Sequence, residues 1–230
     1  MEVIFVLVEP SVAENIGAAA RALKTMGFNQ IRLVDPVDHL SDPARWMAHG
    51  SNDVLENARD YGSFDEAVHG LDFIIGTSAK KRTIKNDYYP VSSIPGIIRE
   101  KGNTIKNVAV VFGREDSGLR NRELEKCDLI STIPIYASYP SLNLAQAVMI
   151  YAYELSELLD RPIISKTNRS MGAFLLLKKK VSHILLDLGF SETSAIYRRI
   201  LERLMLLEEN DIHLLHSICN KFDDLKKNSG

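Results

Sequence analysis

Apolar and polar residues follow two different patterns along the first 160 residues. Five short runs are mostly apolar and lack a regular polar face: Val3–Val8, Ile31–Val34, Phe73–Gly76, Val108–Phe112 and Leu129–Ile135. Runs of this kind predict strands that are buried on both faces of a parallel sheet.

Helical patterns fill the intervals between these strands. Ile16–Met26 is rich in alanine and precedes Gly27, the residue type that most often follows the end of a helix. Ser41-Asp42-Pro43 is typical of a helix start, and Leu142–Leu159 predicts a long helix. This order of elements predicts an α/β fold, a parallel sheet with helices on both faces.

The pattern changes after residue 160. Residues 161–172 are polar and lack periodicity, which is typical of a linker. In residues 173–230, apolar residues recur only at helical spacing, with Gly189 and Asn210-Asp211 at predicted helix ends. We therefore predict a sheet domain at 1–160, a linker at 161–172 and a helical extension at 173–230. The predicted apolar stripes are Phe174, Leu177, Val181, Ile184 and Leu188; Ile196, Ile200, Leu204 and Leu207; and Ile212, Leu215, Ile218, Phe222 and Leu225.

Composition and charge narrow the class of protein. Hydrophobic residues make up 45% and charged residues 25% of the chain, as in ordinary globular proteins. The net charge of -2 excludes a strongly basic protein that coats nucleic acid. Residues 1–164 carry 17 Lys and Arg against 22 Asp and Glu, whereas residues 165–230 carry 11 against 8. An acidic domain with net charge -5 thus precedes a basic extension with net charge +3.

Cysteine and histidine usage predicts a reduced, cytoplasmic protein without a metal site. Cys127 and Cys219 lie far apart and form no CxxC motif, and the six histidines form no HxxxH pair. The apolar run at the N-terminus is too short for a signal peptide, and no stretch approaches about 18 apolar residues. We expect no membrane span.

Two polar motifs follow predicted strands. The first, N-I-G-A-A-A-R at residues 15–21, places Gly17 and three alanines where another backbone can approach closely. The second, F-G-R-E-D-S-G-L at residues 112–119, follows the strand Val108–Phe112, where ligands of open α/β sheets collect. It contains no GKS or GKT, so a Walker phosphate loop is not indicated.

The third motif precedes the long helix. It consists of Ile133-Pro134-Ile135 and then P-S-L-N-L-A-Q-A at residues 140–147. Ser141 is a favourable N-cap residue, which would place Asn143 in the first helical turn. Taken singly, each motif also fits a structural reading: an alanine-rich helix, a charged turn with two glycines, or a simple helix cap.

Together, the three motifs resemble those of the SpoU branch of the SPOUT RNA methyltransferases. These are N-x-G-x-x-x-R, then F-G-x-E-x-x-G-L, then I-P followed by S-L-N-x-x-x-A, and the resemblance spans about residues 2–159. The helical extension, Gly76–Ala79 and Arg82-Thr83 are similar to the TrmJ-type tRNA methyltransferases.

The periodicity alone predicts an open sheet without a knot. The resemblance implies a different arrangement. It implies a C-terminal trefoil knot, built by Gly113–Ile135 and the Ser141 turn, that holds S-adenosylmethionine. It also implies a homodimer that methylates ribose 2′-oxygens of RNA, with the first nucleotide of the tRNA anticodon loop, a cytidine or uridine, as the TrmJ-type target. From their small residues, we expect the helices Ile16–Met26 and Leu142 onward to form the dimer interface.

The resemblance also implies roles for individual residues. Catalysis is expected from Arg21, Asn15, Glu115, Ser141 and Asn143. Cofactor binding is expected from Thr77, Ser78, Ala79, Gly113, Arg114, Glu115, Ile133, Ile135, Ser141, Leu142, Asn143 and Ala147.

Methyl transfer requires an in-line attack by the ribose oxygen, and alignment alone can contribute about 7–11 kcal/mol. A guanidinium stays protonated near neutral pH, so we favour Arg21 as the group that stabilises the developing alkoxide, although the family arginine is often described as a base. Asn15, Ser141 and Asn143 would orient Arg21 and the ribose. Glu115 would pair with a cation or position the substrate.

Two other functions are compatible with the sequence: a ribosomal-RNA methyltransferase of the same superfamily, and an RNA-binding protein that kept the fold without catalysis. The intact motif residues argue against the second. Lys80–Arg82 and Lys178–Lys180 fit either RNA contact or simple solvation. Trp46 and Met47 fit either the core or a stacking surface.

Overall fold

The structure is a computed structural model that describes residues 1–80, 87–135, 142–159 and 172–228. The predicted site residue Ser141, the basic residue Arg82 and the predicted linker up to residue 171 lie outside these ranges. The trefoil knot stays a prediction, because the turn that would complete it includes residues 136–141.

Seven parallel strands form one sheet in the order β3-β2-β1-β6-β4-β7-β5. All five predicted strands are present, and two three-residue edge strands, β3 and β5, are added. The last predicted strand is shorter than expected, since it ends at Thr132 and not at Ile135. The strands are β1 (Glu2–Val8), β2 (Ile31–Val34), β3 (Arg59–Tyr61), β4 (Phe73–Thr77), β5 (Tyr88–Pro90), β6 (Asn107–Phe112) and β7 (Leu129–Thr132).

Two predicted helix ends, both at glycines, are confirmed. Gly27 and Gly189 have φ values of 86° and 87°, the left-handed conformation that commonly follows a helix. The last helix starts at Glu209, before the predicted cap at Asn210-Asp211. The helices are α1 (Ala13–Thr25), α2 (Asp42–Ala48), α3 (Asn52–Glu56), α4 (Phe64–Val68), α5 (Ile94–Glu100), α6 (Asn121–Lys126), α7 (Leu144–Ser156), α8 (Ala173–Asp187), α9 (Ala195–Leu204) and α10 (Glu209–Asn228).

Helices cover both faces of the sheet, as predicted. Alternate residues of β1 point to opposite sides. Ile4, Val6 and Val8 share a buried cluster with residues of α4 and α6. On the other face, Phe5 stacks on Phe112 at 6.2 Å, and Phe112 meets Tyr151 of α7 edge to face at 5.3 Å. Burial of both faces explains why the strands are apolar throughout.

The chain divides into two compact units. The sheet unit comprises Glu2–Pro95 and Asn107–Pro162, and the helical unit comprises Gly96–Lys106 and Ile163–Gly230, together with Met1. The helical unit thus includes a segment from the first half of the sequence. The domain boundary at residues 161–172 stays a prediction, because all of these residues except Gly172 lie outside the described ranges.

Lys101 ties this inserted segment to the helices of its own unit. The side chain is buried, with 1% exposure, and its ammonium donates to the carbonyl oxygens of Met205 and Leu207, which follow α9. It also lies 4.7 Å from the centre of the Phe174 ring. A cation at the carbonyl end of a helix is favourable, so residues 96–106 belong to the packing of the helical unit.

The predicted apolar faces of the helical unit are partly wrong. Ile218 and Leu225 of α10 are 64% and 57% exposed, and Ile196 and Leu188 are also exposed. The buried face of α10 contains Ile212, as predicted, and Cys219, which the predicted stripe omits. Cys219 packs as a small hydrophobe, which rotates the buried face away from the predicted stripe. In the part of the chain that the structure describes, no helix combines the length and apolarity needed to cross a membrane.

Candidate active site

A cavity of about 860 Å³ lies beyond the carboxyl ends of β4, β6 and β7. All of the described residues that line it belong to the sheet unit. The carboxyl edge of an open parallel sheet is where ligands bind in α/β proteins. The lining residues are Thr77, Ser78, Ala79, Lys80, Phe112, Gly113, Arg114, Glu115, Asp116, Ser117, Gly118, Leu119, Ile133, Ile135, Leu142, Leu144, Ala147 and Tyr151.

The second motif forms a tight loop along one wall of this cavity. Gly118 N–H donates to the carbonyl oxygen of Arg114 at 2.9 Å, and Gly118 has a φ of 70°. A β-carbon on Gly113 would lie 2.1 Å from backbone atoms of Gly118 and Leu119. Glycine at position 113 is therefore required for the loop to close on itself.

Hydrogen bonds join residues from all three motif regions. Glu115 accepts from the Asn15 amide at 3.2 Å, and from the backbone N–H and hydroxyl of Ser11 at 3.1 Å each. The Asn143 amide then donates to Asn15 Oδ1 at 2.7 Å. The first turn of α1, the loop after β6 and the N-terminus of α7 are thus connected in one polar chain beside the cavity.

Glu115 is held in its ionised form by this network. Its partial burial alone would raise the pKa of the carboxyl group, but the hydrogen bonds from Ser11 and Asn15 outweigh burial and lower that pKa below its ordinary value. An ionised carboxylate only accepts hydrogen bonds, which fixes the donor direction of the Asn15 amide.

The N-terminus of α7 corrects one prediction. Asn143, and not Ser141, is the N-cap residue: its side-chain oxygen accepts from Ala145 N–H at 2.8 Å, and its own N–H donates to Gln146 Oε1 at 3.1 Å. The helix starts two residues later than the sequence pattern indicated. This reciprocal cap fixes the Asn143 side chain, whose amide then reaches Asn15.

Arg114 does not turn its charge toward the cavity. Its guanidinium lies between the carboxylates of Glu9 and Glu123, with Nε donating to Glu9 Oε2 at 2.6 Å and Nη2 donating to Glu123 Oε1 at 2.9 Å. The hydrogen bond from Arg114 lowers the pKa of Glu9. Burial opposes ionisation of Glu123, but Arg114 outweighs it and lowers that pKa as well.

We expect acid to weaken the sheet unit through these carboxylates. Glutamates in the unfolded chain titrate near pH 4.3, while Glu9, Glu115 and Glu123 titrate lower in the folded protein. Their stabilisation is complete above the unfolded pKa and is lost as the pH falls through the folded value. The urea midpoint should therefore be steady from pH 7 to about 5.5 and fall between about pH 5 and 3. The urea midpoint of Glu9→Gln should be below that of wild type at pH 7 and approach it at pH 3. A difference between the two midpoints that does not change with pH would contradict this assignment.

Arg21 lies on α1 but is not part of the hydrogen-bonded chain. Its side chain is exposed, and it makes no hydrogen bond or ion pair with any residue that the structure describes. Arg21 lies six positions after Asn15, a rise of about 9 Å along the helix. The guanidinium is therefore available to a ligand outside the chain.

The small residues of α1 pack within the same chain. A β-carbon on Gly17 would lie 2.0 Å from the carbonyl oxygen of Ala44 in α2, and Ala19 and Ala20 are fully buried. Close helix contact at Gly17 is thus explained by α2, and these residues are not an argument for a dimer. Trp46, on α2, is 74% exposed, which excludes a core role for it.

Ten of the twelve residues expected to bind a cofactor line the cavity: Thr77, Ser78, Ala79, Gly113, Arg114, Glu115, Ile133, Ile135, Leu142 and Ala147. Asn143 lies beside it in the polar chain, and Ser141 is outside the described residues. Tyr151 on α7, which was not predicted, also lines the cavity, and its hydroxyl donates to Ser131 at 2.8 Å. Tyr151 carries no local signal, because it lies about one helical turn beyond the end of the third motif. Among the described residues, no three His, Cys, Asp or Glu side chains group as metal ligands.

Two family models match the chain. The SpoU rRNA Methylase family matches residues 2–153, and the C-terminal domain of the tRNA/rRNA methyltransferase LasT matches residues 172–227. The chain belongs to the SpoU methylase family. The resemblance inferred from the three motifs is thereby confirmed, and the helical extension has a family match of its own.

Individual relatives agree with this membership. The chain is 40% identical over 230 residues to an uncharacterized tRNA/rRNA methyltransferase LasT of Escherichia coli K12, covering 99% of each chain. It is 39% identical over 151 residues to the tRNA (cytidine-2′-O-)-methyltransferase TrmJ of Methanocaldococcus jannaschii. That match covers 65% of each protein, less than two thirds of the TrmJ chain.

Solved structures show the same fold. A probable methylase family protein from Haemophilus influenzae superposes with a TM-score of 0.68 at 34% identity, covering 99% of this chain and 98% of that one. TrmJ from Z. mobilis ZM4 superposes with a TM-score of 0.66 at 26% identity, covering 97% and 100%. The α/β fold with its helical extension therefore recurs over nearly whole chains.

Proposed function

We propose that this chain is a cytoplasmic, S-adenosylmethionine-dependent tRNA ribose 2′-O-methyltransferase that acts on cytidine or uridine at the first position of the anticodon loop. The observation that carries the proposal is the polar chain Glu115–Asn15–Asn143 beside the cavity. The TrmJ relatives, which share the motif region, are named for tRNA 2′-O-methylation.

The residues of the cavity fit this cofactor. Ile133, Ile135 and Leu142 offer apolar contact for an adenine ring, and the backbone of the glycine loop offers polar atoms. Glu115 and Asp116 place negative charge at the wall, which suits a ligand with a positive sulfur. When bound, the cofactor supplies a methyl group that is activated by that sulfur.

The side chains of the protein orient the substrate and stabilise charge. Glu115, Asn15 and Asn143 fix one another, so the amides are held in one orientation before substrate binds. Arg21 stabilises the negative charge that develops on the ribose oxygen. The 2′-hydroxyl proton passes to a base, for which an RNA phosphate near the guanidinium is our candidate.

Mapping of 2′-O-methyl marks by mass spectrometry tests this function. RNA from a deletion strain should lack one mark in the tRNA anticodon loop, and the wild-type gene, but not Arg21→Ala, should restore it. The second candidate is ribosomal RNA, favoured by the names of the family model and of LasT; it predicts loss of an rRNA mark instead. A deletion strain with all marks intact would exclude both and favour a non-catalytic RNA-binding protein.

We propose that the helical unit supplies affinity for tRNA. Removing residues 165–230 is a poor test, since the buried residues Lys101, Thr104 and Ile105 would lose the rest of their unit. Charge removal at exposed cations avoids this problem. In the triple variant Lys179→Gln, Arg198→Gln and Lys221→Gln, the log–log salt dependence of tRNA binding should flatten by about 0.7–0.9 for each lost phosphate contact.

The matched control removes three cations from the sheet unit, in Arg45→Gln, Arg59→Gln and Lys126→Gln. It should leave the salt dependence nearly unchanged while altering net charge equally. Equal effects of the two triple variants would show that only total charge matters, and the assignment to the helical unit would be wrong.

We propose that the protein is a homodimer whose interface includes α1 and α7. Val12, just before α1, and Tyr153, on α7, are 40% and 65% exposed, and burial of such apolar side chains stabilises association. Sedimentation at micromolar concentration should give a dimer, and Tyr153→Glu should give a monomer. A monomeric wild-type protein would contradict the proposal.

A further inference from the structure

The Arg114 guanidinium has no hydrogen-bond donor left for a ligand. Nε donates to Glu9 Oε2, and Nη2 donates to Glu9 Oε1 and to Glu123 Oε1. Nη1 donates to Glu123 Oε2 at 3.0 Å and to the carbonyl oxygen of Gly118 at 3.2 Å. An arginine side chain has five N–H donors, and these five contacts occupy all of them.

This cluster is buried and balanced in charge. The Arg114 and Glu123 side chains are 9% and 3% exposed, and the Glu9 side chain is 31% exposed. Both carboxylates are ionised at neutral pH, because their pKa values are lowered. Arg114 faces two negative charges, and exposed Arg120 contributes a further positive charge at 3.1 Å from Glu9 Oε2. A bidentate arginine–carboxylate pair also fixes geometry.

The cluster connects the loop that lines the cavity with the segment after β1 and with the start of α6. Glu9 follows β1 and has a φ of 49°, a left-handed conformation that is uncommon outside glycine. Glu123 lies in the first turn of α6, where it accepts from Arg120 N–H at 2.6 Å. Two residues beyond Glu9, Ser11 binds Glu115, the neighbour of Arg114. The segments 9–11 and 114–115 are therefore joined twice.

We propose that Arg114 is a positioning residue, clamped by Glu9 and Glu123, that holds the loop 113–118 against the cavity and sets the place of Glu115. It is not a ligand for the carboxylate of the cofactor. This inference rests on the proposed function and assigns a role to a residue that lines the cavity without directing its charge into it.

Two ligands distinguish an Arg114 that holds the loop from an Arg114 that contacts the carboxylate of the cofactor. S-adenosylhomocysteine carries a carboxylate, whereas 5′-methylthioadenosine shares its nucleoside and sulfur and lacks the amino-acid carboxylate. If Arg114 acts as a clamp, Glu9→Gln and Arg114→Met should each lower the affinity for both ligands by similar factors, about 5- to 10-fold. The double variant should then bind no more weakly than either single variant. If Arg114 instead contacts the ligand carboxylate, Arg114→Met should lower the affinity for S-adenosylhomocysteine only. Glu9→Gln should then raise that affinity, because it releases the guanidinium. Calorimetry decides between these results, and the second would overturn the proposal.

A second measurement does not depend on any ligand. Hydrogen exchange of the unliganded protein should accelerate at residues 113–118 in Glu9→Gln, with exchange in β1 and β6 unchanged. The control Arg120→Met, which removes the exposed partner of Glu9, should leave loop exchange near the wild-type rate. Unchanged loop exchange in Glu9→Gln, or acceleration throughout the sheet unit, would overturn the clamp.

The two measurements also distinguish a failure of the proposed function from a failure of the clamp. If the wild-type protein binds neither nucleoside, the proposed function is wrong, and loop exchange alone then decides the clamp. Glu9→Gln is the leading variant because it keeps the shape of the side chain. Arg114→Met leaves two carboxylates without their cation, so its urea midpoint is measured first, and the conclusion is drawn from Glu9→Gln if it does not fold.

Discussion

Arg21→Ala should abolish methyl transfer while leaving both the fold and the cofactor affinity near wild type. The Arg21 side chain is exposed and makes no hydrogen bond or ion pair within the described part of the chain, so its removal should change the free energy of unfolding by less than about 0.5 kcal/mol. A group that acts on the ribose oxygen stabilises the transition state more than the bound ground state. Its loss should therefore reduce the rate by about 10²–10³-fold.

Single-turnover methylation of a tRNA transcript at saturating cofactor is the measurement. Arg21→Lys should fail too, because an ammonium lacks the planar fork that spans a ribose oxygen and a phosphate. Arg59→Ala is the matched control: it removes an exposed arginine from edge strand β3 and should keep the wild-type rate. If Arg21→Ala kept more than about half the rate, far from the loss expected of an electrostatic donor, Arg21 would have no role in the transition state.

The strands of the sheet interior could be predicted because each carries its own signal. Val3–Val8 and Val108–Phe112 are apolar at nearly every position, which only strands covered on both faces require. The missed strands, Arg59–Tyr61 and Tyr88–Pro90, are three residues long and lie at the two edges of the sheet. At an edge, the neighbouring structure decides whether such a short segment pairs, and the local sequence pattern does not reveal it.

The site could be predicted only from the family resemblance, because its residues are distant in sequence. Asn15 and Glu115 are 100 positions apart, and Asn15 and Asn143 are 128 apart, so no local periodicity connects them. The structure brings these three residues together beside the cavity, and their catalytic role stays a prediction. The partners of Arg114 were not predicted, because Glu9 and Glu123 lie outside the motifs; Arg114 was instead expected to bind the cofactor. Serine and asparagine are both favourable N-cap residues, so residue type alone does not separate Ser141 from Asn143. The reciprocal bonds with Gln146 place the cap at Asn143.

Gly113→Ala should remove cofactor binding and methyl transfer together, in contrast to Arg21→Ala. The added methyl group would lie 2.1 Å from the Gly118 carbonyl carbon and the Leu119 nitrogen and 2.6 Å from the Gly118 oxygen. All three are backbone atoms, so the strain cannot be relieved by rotating a side chain, and the loop must open. Since this loop lines the cavity, its displacement should reduce the transfer rate by about 10²-fold, the usual cost of a misplacement near 1 Å.

The measurement pairs calorimetry of S-adenosylhomocysteine with the single-turnover rate, and the two should fall together because the loop both contacts the cavity and carries Glu115. Gly96→Ala is the control: nothing lies within 4 Å of its added carbon, and alanine in a helix is favourable by about 0.5–1 kcal/mol. It should therefore bind and react as wild type. Wild-type affinity in Gly113→Ala would show that the loop 113–118 can open without cost to the cofactor site, and the wall of the cavity would then have to be assigned to other residues.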